Sequence, residues 1–162
     1  MDVRFETKFG NVAGKDEWLT PKYITDALGD FDLDPCSPIV RPWPTAKNHY
    51  TINDDGLSKE WQGRVWCNPP YGDKAKHWLK KCSEHGNCIV LIFARTETKM
   101  FFDYIWDRAD GIFFFKGRIA FLDVNGNKSA SAGAPSCLVS YGENNTEILS
   151  KITLPGKFFR IK

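Results

Sequence analysis

The most constraining feature of the sequence is an uninterrupted apolar run, Cys88–Ala94 (CIVLIFA), with Asn87 before it and Arg95 after it. The run is far too short to span a membrane, which takes roughly 20 apolar residues. Continuous rather than alternating hydrophobicity is typical of a strand covered on both faces, as in a parallel sheet flanked by helices. The run therefore predicts an α/β fold built around a buried central strand.

Shorter segments before and after this run alternate between strand and helix patterns, as the α/β class requires. Thr20 and Pro21 are typical of a helix start, and Gly29 of a helix end. The patterns predict further helices over 74–84, 97–109 and 144–151, strands over 31–34, 64–67, 111–116, 118–122 and 136–141, a turn at 125–126, and mostly loop over 36–60. With no repeat or linker, we expect a single three-layer domain with a mixed sheet over 1–162, including an N-terminal extension (1–16) and a basic, solvated tail (152–162).

Composition excludes several classes of protein. The chain has 162 residues, is 42% hydrophobic and has a mean hydropathy of −0.40, which is typical of a water-soluble domain. Charges in residues 1–10 argue against a secretory signal, and five cysteines without a CxxC pair favour reduced thiols in a cytosol. Residues 1–60 hold 7 Lys/Arg against 11 Asp/Glu and residues 61–162 hold 15 against 9, so the second part can face a polyanion.

The most informative short motif is Asn68-Pro69-Pro70-Tyr71, directly after the predicted strand over 64–67. In open α/β sheets, ligands bind beyond the carboxyl ends of strands. The two prolines restrict the backbone there, which orients the Asn68 side-chain oxygen and the Pro69 carbonyl as acceptors. Two acceptors beside an aromatic face suit a planar exocyclic amine, whose nitrogen becomes positive during attack. The alternative is a rigid turn in which Asn68 only caps the next helix.

The motif resembles the catalytic motif of amino-directed, S-adenosylmethionine-dependent methyltransferases, above all DNA N6-adenine methyltransferases. The wider pattern is similar to the small phage-type Dam family over about residues 18–141. The segments that carry the resemblance are Trp18-Leu19-Thr20-Pro21, Phe31-Asp32-Leu33-Asp34-Pro35-Cys36, Asp55-Gly56-Leu57 with Trp61, Val65-Trp66-Cys67-Asn68-Pro69-Pro70-Tyr71, Ala94-Arg95-Thr96-Glu97-Thr98, and Lys116-Gly117-Arg118-Ile119 with Phe121.

The resemblance implies a Rossmann-like methyltransferase fold and a set of cofactor contacts. Thr20-Pro21 would lie against the methionine end of S-adenosylmethionine. Asp34-Pro35 would follow the first strand, where a carboxylate can meet the ammonium group, and Asp55 with Leu57 would contact the cofactor adenine. The plain alternative is that Asp34 only starts a turn and that Asp55-Gly56 is an ordinary turn dipeptide.

The sequence departs from the wider methyltransferase pattern in two places. The glycine-rich loop after the first strand is absent, and Asp34-Pro35-Cys36-Ser37-Pro38 stands in its place. The interval between Asp34 and Asn68 is too short for two full strand–helix units, so we expect an abridged sheet. The chain also has no room for a separate target-recognition domain, which leaves any sequence preference to loops or to a second subunit in a homodimer.

Other candidate residues have two interpretations each. Arg95, Lys116 and Arg118 either bind phosphate (Arg95 also a cofactor carboxylate) or form ion pairs at the sheet edge. The consecutive phenylalanines Phe113–Phe115 favour the core over a stacking face for a base. His77, Cys82, His85 and Cys88 lack the paired spacing of a zinc site, so we predict no metal.

Together these features predict a DNA adenine-N6 methyltransferase that takes the methyl group from S-adenosylmethionine by direct displacement, without a covalent intermediate or a strong base. Asn68, Pro69, Pro70 and Tyr71 are the predicted catalytic residues, acting on an adenine flipped out of DNA. Expected partners are DNA and a second copy of the chain, with no membrane, in the cytoplasm (the host's, if a phage encodes the protein). Three alternatives stay open: a cytosine-N4 methyltransferase, a protein glutamine-N5 methyltransferase, and an inactive DNA-binding module.

Overall fold

A computed structural model describes residues 19–123 and 125–162 of the protein. Trp18 and the predicted extension over 1–16 lie outside the described residues. The strands are β1 Leu33–Asp34, β2 Asn48–His49, β3 Val65–Cys67, β4 Cys88–Phe93, β5 Gly111–Phe115, β6 Ala120–Leu122, β7 Lys128–Ser131, β8 Ser136–Tyr141 and β9 Gly156–Arg160. The helices are α1 Lys22–Leu28, α2 Ala75–His85, α3 Lys99–Phe101 with a π-helical continuation Phe102–Trp106, and α4 Glu143–Lys151, and a short 3₁₀ turn covers Gly56–Ser58.

In the described residues, seven strands form one mixed sheet in the order β2-β1-β3-β4-β8-β5-β9. Strands β2, β1, β3 and β4 are parallel, whereas β8 runs antiparallel to both β4 and β5, and β9 runs antiparallel to β5. The carboxyl ends of β1 to β5 therefore lie at one edge of this sheet. We call it the carboxyl edge.

Helices cover both faces of the sheet, which gives the three layers that the sequence predicts. One face packs against α2 and the π-helical segment, through buried side chains such as Leu79 and Ile105. The other face packs against α1 and α4, through Ile24, Leu28 and Leu149. Because neighbouring strand residues point to opposite faces, β4 contributes Val90 to the first core and Leu91 to the second, so it is buried on both sides.

A hairpin of β6 and β7 rises above the carboxyl edge. Leu122 exchanges two backbone hydrogen bonds with Leu19 (2.9 and 3.1 Å), and these bonds hold the segment before α1 beside the hairpin. The hairpin tip reaches the loop after β1: a β-carbon added at Gly126 would lie 3.3 Å from the Trp43 ring. The hairpin therefore extends across the edge where β1 and β3 end.

Most predicted elements are confirmed within a residue or two, and the exceptions have physical causes. The helix predicted over 97–109 is shorter and changes to π-helical bonding, with the Asp107 amide donating to the Phe102 carbonyl (3.1 Å). The basic tail over 152–162 contains a strand that the sequence did not indicate, because β9 pairs with β5 along its whole length and packs the half-buried Phe158 against the second core, while its basic residues stay exposed. Within the described residues, none of the helices is long and apolar enough to cross a membrane.

Candidate active site

The loop Asn68–Tyr71 leaves the carboxyl end of β3 at the point where the strand order changes direction. From β1 the chain moves outward to β2 and then crosses back to β3 on the other side of β1. Such a switch point opens a crevice between neighbouring carboxyl ends, which is where open α/β sheets bind ligands. Asp34 ends β1 and Asn68 follows β3, so the fold brings two predicted site residues to the two sides of this crevice.

The Asn68 side chain is held at both ends of its amide. Its Nδ2 donates to the hydroxyl oxygen of Thr20 (3.1 Å), and its Oδ1 accepts from the hydroxyl of Tyr71 (3.2 Å). Thr20 is buried, whereas Asn68 and Tyr71 are half-buried. An amide with partners on both sides has a fixed orientation, and its oxygen keeps a second lone pair for another donor.

The interpretation of Asn68 as a helix cap is wrong. Helix α2 begins after Lys74, and its cap position makes no side-chain hydrogen bond. Its first turn is closed by the backbone of the loop, with the Ala75 amide donating to the Gly72 carbonyl (3.1 Å). The Asn68 side chain is therefore not used in starting the helix.

The Tyr71 ring packs among the aromatic residues of neighbouring elements. It lies 4.2 Å from the Phe93 ring and 6.3 Å from the Phe121 ring, measured between centroids. Burial raises the pKa of Tyr71 well above its usual range, so the phenol stays protonated and can act as the donor to Asn68. The sequence predicts the ring as a stacking face, and the structure adds a role for its hydroxyl group.

Asp34 is a buried carboxylate with two internal partners. Its Oδ1 accepts from the Cys36 amide (3.1 Å), and its Oδ2 accepts from the Thr45 hydroxyl. Burial raises the pKa of Asp34 to about 6, although these hydrogen bonds and the charge of Arg41 oppose the rise. The hydrogen bond to the Cys36 amide is the contact expected if Asp34 only starts a turn. A residue that only starts a turn can stay exposed to solvent, however, whereas the Asp34 carboxyl is buried.

The segment around Asp55 and Leu57 packs directly on the loop after β1. Gly56 is buried, and a β-carbon at this position would overlap the carbonyl oxygen of Pro35. The Gly56 carbonyl accepts from the Trp61 indole nitrogen (2.9 Å), which anchors the turn to the core. Asp55 has a left-handed backbone (φ 55°) and an exposed side chain, whereas Leu57 is half-buried.

These residues fit the charge of S-adenosylmethionine, which carries an ammonium and a sulfonium group. A carboxylate buried at Asp34 is destabilised in its charged form, and a cation beside it would relieve that cost. Pro35 and Gly56 are in contact, so the two segments predicted to hold the cofactor form one continuous wall. Thr20 and Pro21 approach the same edge from the side of α1.

The three predicted nucleic-acid-binding residues follow two strands that end at this edge. Arg95 comes after β4, while Lys116 and Arg118 come after β5, and all three are exposed. None of them has a carboxylate within ion-pair distance in the part of the chain that the structure describes, so the ion-pair interpretation has no support there. Arg118 donates weakly to the Ala132 carbonyl (3.4 Å).

A cavity of about 300 Å³ opens beside Tyr71, between the start of α2 and the end of β4. Arg95 and Lys76 bring two positive charges to its wall, Asp73 brings one negative charge, and Phe93 brings apolar surface. The volume is at the lower limit of the range usual for ligand sites, roughly 300–1,000 Å³. A ligand part of modest size can therefore reach Tyr71 from this side.

Three further residues at or near the candidate site could not be identified from sequence patterns. Thr45, which binds Asp34, lies in an irregular loop, and Lys76 is one of several lysines along α2. Ser136 starts β8 opposite Phe93, and its buried hydroxyl has no hydrogen-bond partner among the described residues. The surroundings of each residue are set by the fold, so spacing alone could not find it.

The cysteines and phenylalanines are largely part of the core. All five cysteines lie in the described residues as free thiols, and burial raises the pKa of Cys82 and Cys88. No group of three or more His, Cys, Asp and Glu side chains in the described ranges is arranged to hold a metal ion. Phe113 is buried in the second core, as the sequence predicts for this run.

Comparison with known proteins gives one match. The family model for DNA N-6-adenine-methyltransferase (Dam) matches residues 9–154, which is most of the chain. Neither the comparison with curated proteins nor the comparison with solved structures found a match. The matched range includes the Asn68–Tyr71 loop, the Asp34 turn and the strands that place them at one crevice. The chain therefore belongs to the DNA N-6-adenine-methyltransferase (Dam) family.

Proposed function

We propose that this protein transfers a methyl group from S-adenosylmethionine to N6 of an adenine in DNA, and that the adenine is flipped out of the duplex to reach the crevice. Membership of the Dam family supports the reaction class. The observation that carries the proposal for this chain is the fixed amide of Asn68 at the switch point of the sheet.

Asn68 acts on the amine of the adenine through the unused lone pair of its Oδ1. An exocyclic amine is a poor nucleophile because its lone pair is delocalised into the ring. An acceptor on its hydrogens favours a pyramidal nitrogen and stabilises the positive charge that develops there. The Pro69 carbonyl is the second proposed acceptor, and the ring of Tyr71 supports the base. Pro70 restricts the backbone of the loop at its own φ angle and at Pro69 before it.

When bound, S-adenosylmethionine supplies an electrophilic methyl group on a positively charged sulfur. Thr20, Pro21, Asp34, Pro35, Asp55 and Leu57 are the residues proposed to hold it. The Asp34 carboxylate offsets the positive charge, and the Pro35–Gly56 contact keeps the two cofactor-binding segments together. Alignment and charge then supply most of the catalysis, and a strong base is unnecessary because a methylated ammonium nitrogen loses its proton readily.

On the DNA side, Arg95, Lys116 and Arg118 are proposed to contact phosphates around the extruded nucleotide. Extruding a base costs a few kcal/mol, which contacts with the backbone and the crevice must offset. The three cations follow β4 and β5 at the carboxyl edge and have no carboxylate partner among the described residues, so they remain available to phosphate. Contacts of this kind weaken as salt rises.

The test is transfer of a labelled methyl group to DNA of defined base content, followed by nucleoside analysis. We expect label in N6-methyladenine only, and no transfer to adenine-free DNA or to protein. Asn68→Ala should lower turnover by about 100- to 1,000-fold while S-adenosylhomocysteine still binds in calorimetry. The control is Asn144→Ala, which removes an exposed asparagine on α4 and should keep wild-type turnover.

Three outcomes would contradict the proposal. Label in N4-methylcytosine or in glutamine would assign the site to another amine. Full turnover by Asn68→Ala would remove Asn68 from the mechanism. No heat with S-adenosylhomocysteine, together with salt-sensitive DNA binding, would favour the inactive DNA-binding module.

A further inference from the structure

We propose that Thr20 is a positioning residue, whose hydroxyl binds the NH₂ end of the Asn68 amide and holds that side chain in place, with its oxygen free to meet the target amine. This inference rests on the proposed function. It differs from the cofactor contact that the family resemblance implies for Thr20, because it acts through Asn68.

The first support is the way the fold holds Thr20. The two backbone bonds between Leu19 and Leu122 fix the chain immediately before Thr20, and α1 begins two residues after it. Thr20 is only 4% exposed, so its hydroxyl has little access to solvent. Its oxygen lies 3.1 Å from Asn68 Nδ2. The hydroxyl is therefore a fixed acceptor rather than a mobile surface group.

Orientation matters because the two ends of an amide have nearly the same shape and opposite hydrogen-bonding character. If the Asn68 amide turned by a half rotation, its NH₂ group would meet the NH₂ group of adenine, and two donors would face each other. The acceptor that pyramidalises the amine would be lost. Catalysis by Asn68 thus requires that the turned state be rare.

The structure provides an acceptor on one side and a donor on the other. The Tyr71 phenol donates to Oδ1 (3.2 Å), and a buried, protonated phenol is a good donor. Thr20 supplies the acceptor for Nδ2. A hydroxyl can donate or accept, so the phenol of Tyr71, the better donor of the two, sets which end of the amide faces it, and the Thr20 bond holds the other end in place with one lone pair of Oδ1 left for the substrate. Without the Thr20 oxygen, the half-buried NH₂ group loses its partner, and the side chain is held at one end only.

The kinetic test compares three threonine variants. Thr20→Val removes the acceptor while keeping the branched shape, and should lower kcat for methyl transfer by roughly 10- to 100-fold. Because Thr20 is also proposed to contact the cofactor, the KM for S-adenosylmethionine can rise as well, and the fall in kcat at saturating cofactor is the result that tests the inference. Thr20→Ser keeps the hydroxyl and should restore most of kcat. The matched control is Thr25→Val, in which the lost hydroxyl is bound to the Lys22 carbonyl in α1 and does not touch Asn68.

A second measurement does not depend on turnover. The side-chain amide resonances of Asn68, identified by their loss in Asn68→Asp, should show slow hydrogen exchange in the wild-type protein. Thr20→Val should speed this exchange, and Thr20→Ser should not. If the wild-type protein transfers no methyl group to DNA, the proposed function fails, whereas the exchange data still report on the Thr20 contact.

Two results would overturn the inference. One is a Thr20→Val enzyme with wild-type kcat and a raised KM for the cofactor, which would leave Thr20 as a cofactor contact only. The other is rapid exchange of the Asn68 amide in the wild-type protein, which would show that Thr20 does not hold it. The second result needs no Thr20 variant to fold.

Discussion

The strongest prediction for stability concerns the buried carboxyl of Asp34. Its folded pKa of about 6 lies above the ordinary value of 3.8. The folded protein therefore binds this proton more tightly than the unfolded chain does. The Asp34 contribution to stability is fully present below pH 3.8 and is lost as the pH rises through about 6.

The size of the effect follows from the pKa difference. One pKa unit corresponds to about 1.4 kcal/mol, so the full cost of ionising Asp34 is about 3 kcal/mol. Between about pH 4.5 and about pH 7.5, the change amounts to about 2 kcal/mol. Asp34 is almost fully buried, so little of this is screened by solvent.

The assay is urea unfolding of the wild type and of Asp34→Asn at these two pH values, without cofactor. Asn cannot ionise, so the free energy of unfolding of the wild type should fall by about 2 kcal/mol more than that of the variant. Other titrating groups are common to both proteins and cancel in the comparison. Asp30→Asn removes an exposed carboxylate from the preceding turn, and its unfolding free energy should follow the wild type.

A parallel pH dependence of the two proteins would refute the buried, ionisable state of Asp34.

The same carboxyl also links cofactor binding to pH. A bound cation favours the ionised form, so binding releases a proton below pH 6 and S-adenosylhomocysteine should bind more tightly as the pH rises through about 6. This dependence should be absent in Asp34→Asn. If the wild-type affinity does not change over this interval, Asp34 is not beside the ammonium group.

Three further outcomes are expected. Gly56→Ala forces a β-carbon into the Pro35 carbonyl and should lower the free energy of unfolding in urea by about 1–3 kcal/mol. Calorimetry should also show weaker cofactor binding. A neutral effect on both would contradict the packing of these two loops. Arg95→Gln should reduce the slope of log affinity for DNA against log salt by about one, whereas Lys80→Gln on α2 should leave the slope unchanged. Leu79→Ala empties a fully buried position under the sheet and should destabilise the protein by about 2–5 kcal/mol, and a loss below 1 kcal/mol would show that the core is loosely packed.

The architecture was predictable from the sequence wherever one residue pattern decides it. The continuous apolar run that forms β4 predicts, from composition alone, that the strand is buried on both faces. The face of α2 that contains Ala75, Trp78, Leu79 and Cys82 is buried as its spacing predicts. Such patterns are local, since a helix or a strand repeats its exposure every few residues.

The tail shows where local patterns mislead. Residues 152–162 carry several basic residues and read as a solvated end, yet 156–160 form the edge strand β9. Strand pairing depends on the partner, and the exposed edge of β5 supplies it. Arg160 is not an isolated charge there, because it pairs with Glu143 and Glu147 of α4.

For the candidate site, the sequence by itself determined which functional groups are present: an asparagine followed by two prolines and a tyrosine, and acids in the loops before them. Tertiary structure alone decided which groups meet. Thr20 lies 48 residues before Asn68 in the sequence. The β6–β7 hairpin binds the neighbouring residue Leu19 and so helps to hold Thr20 within hydrogen-bond distance of Asn68. Asp34 becomes a buried acid with a raised pKa only through burial in the fold, which outweighs the opposing hydrogen bond from Thr45. The reason is physical: the functional groups of a residue are fixed by its identity, whereas its partners and its dielectric surroundings come from segments brought together by folding.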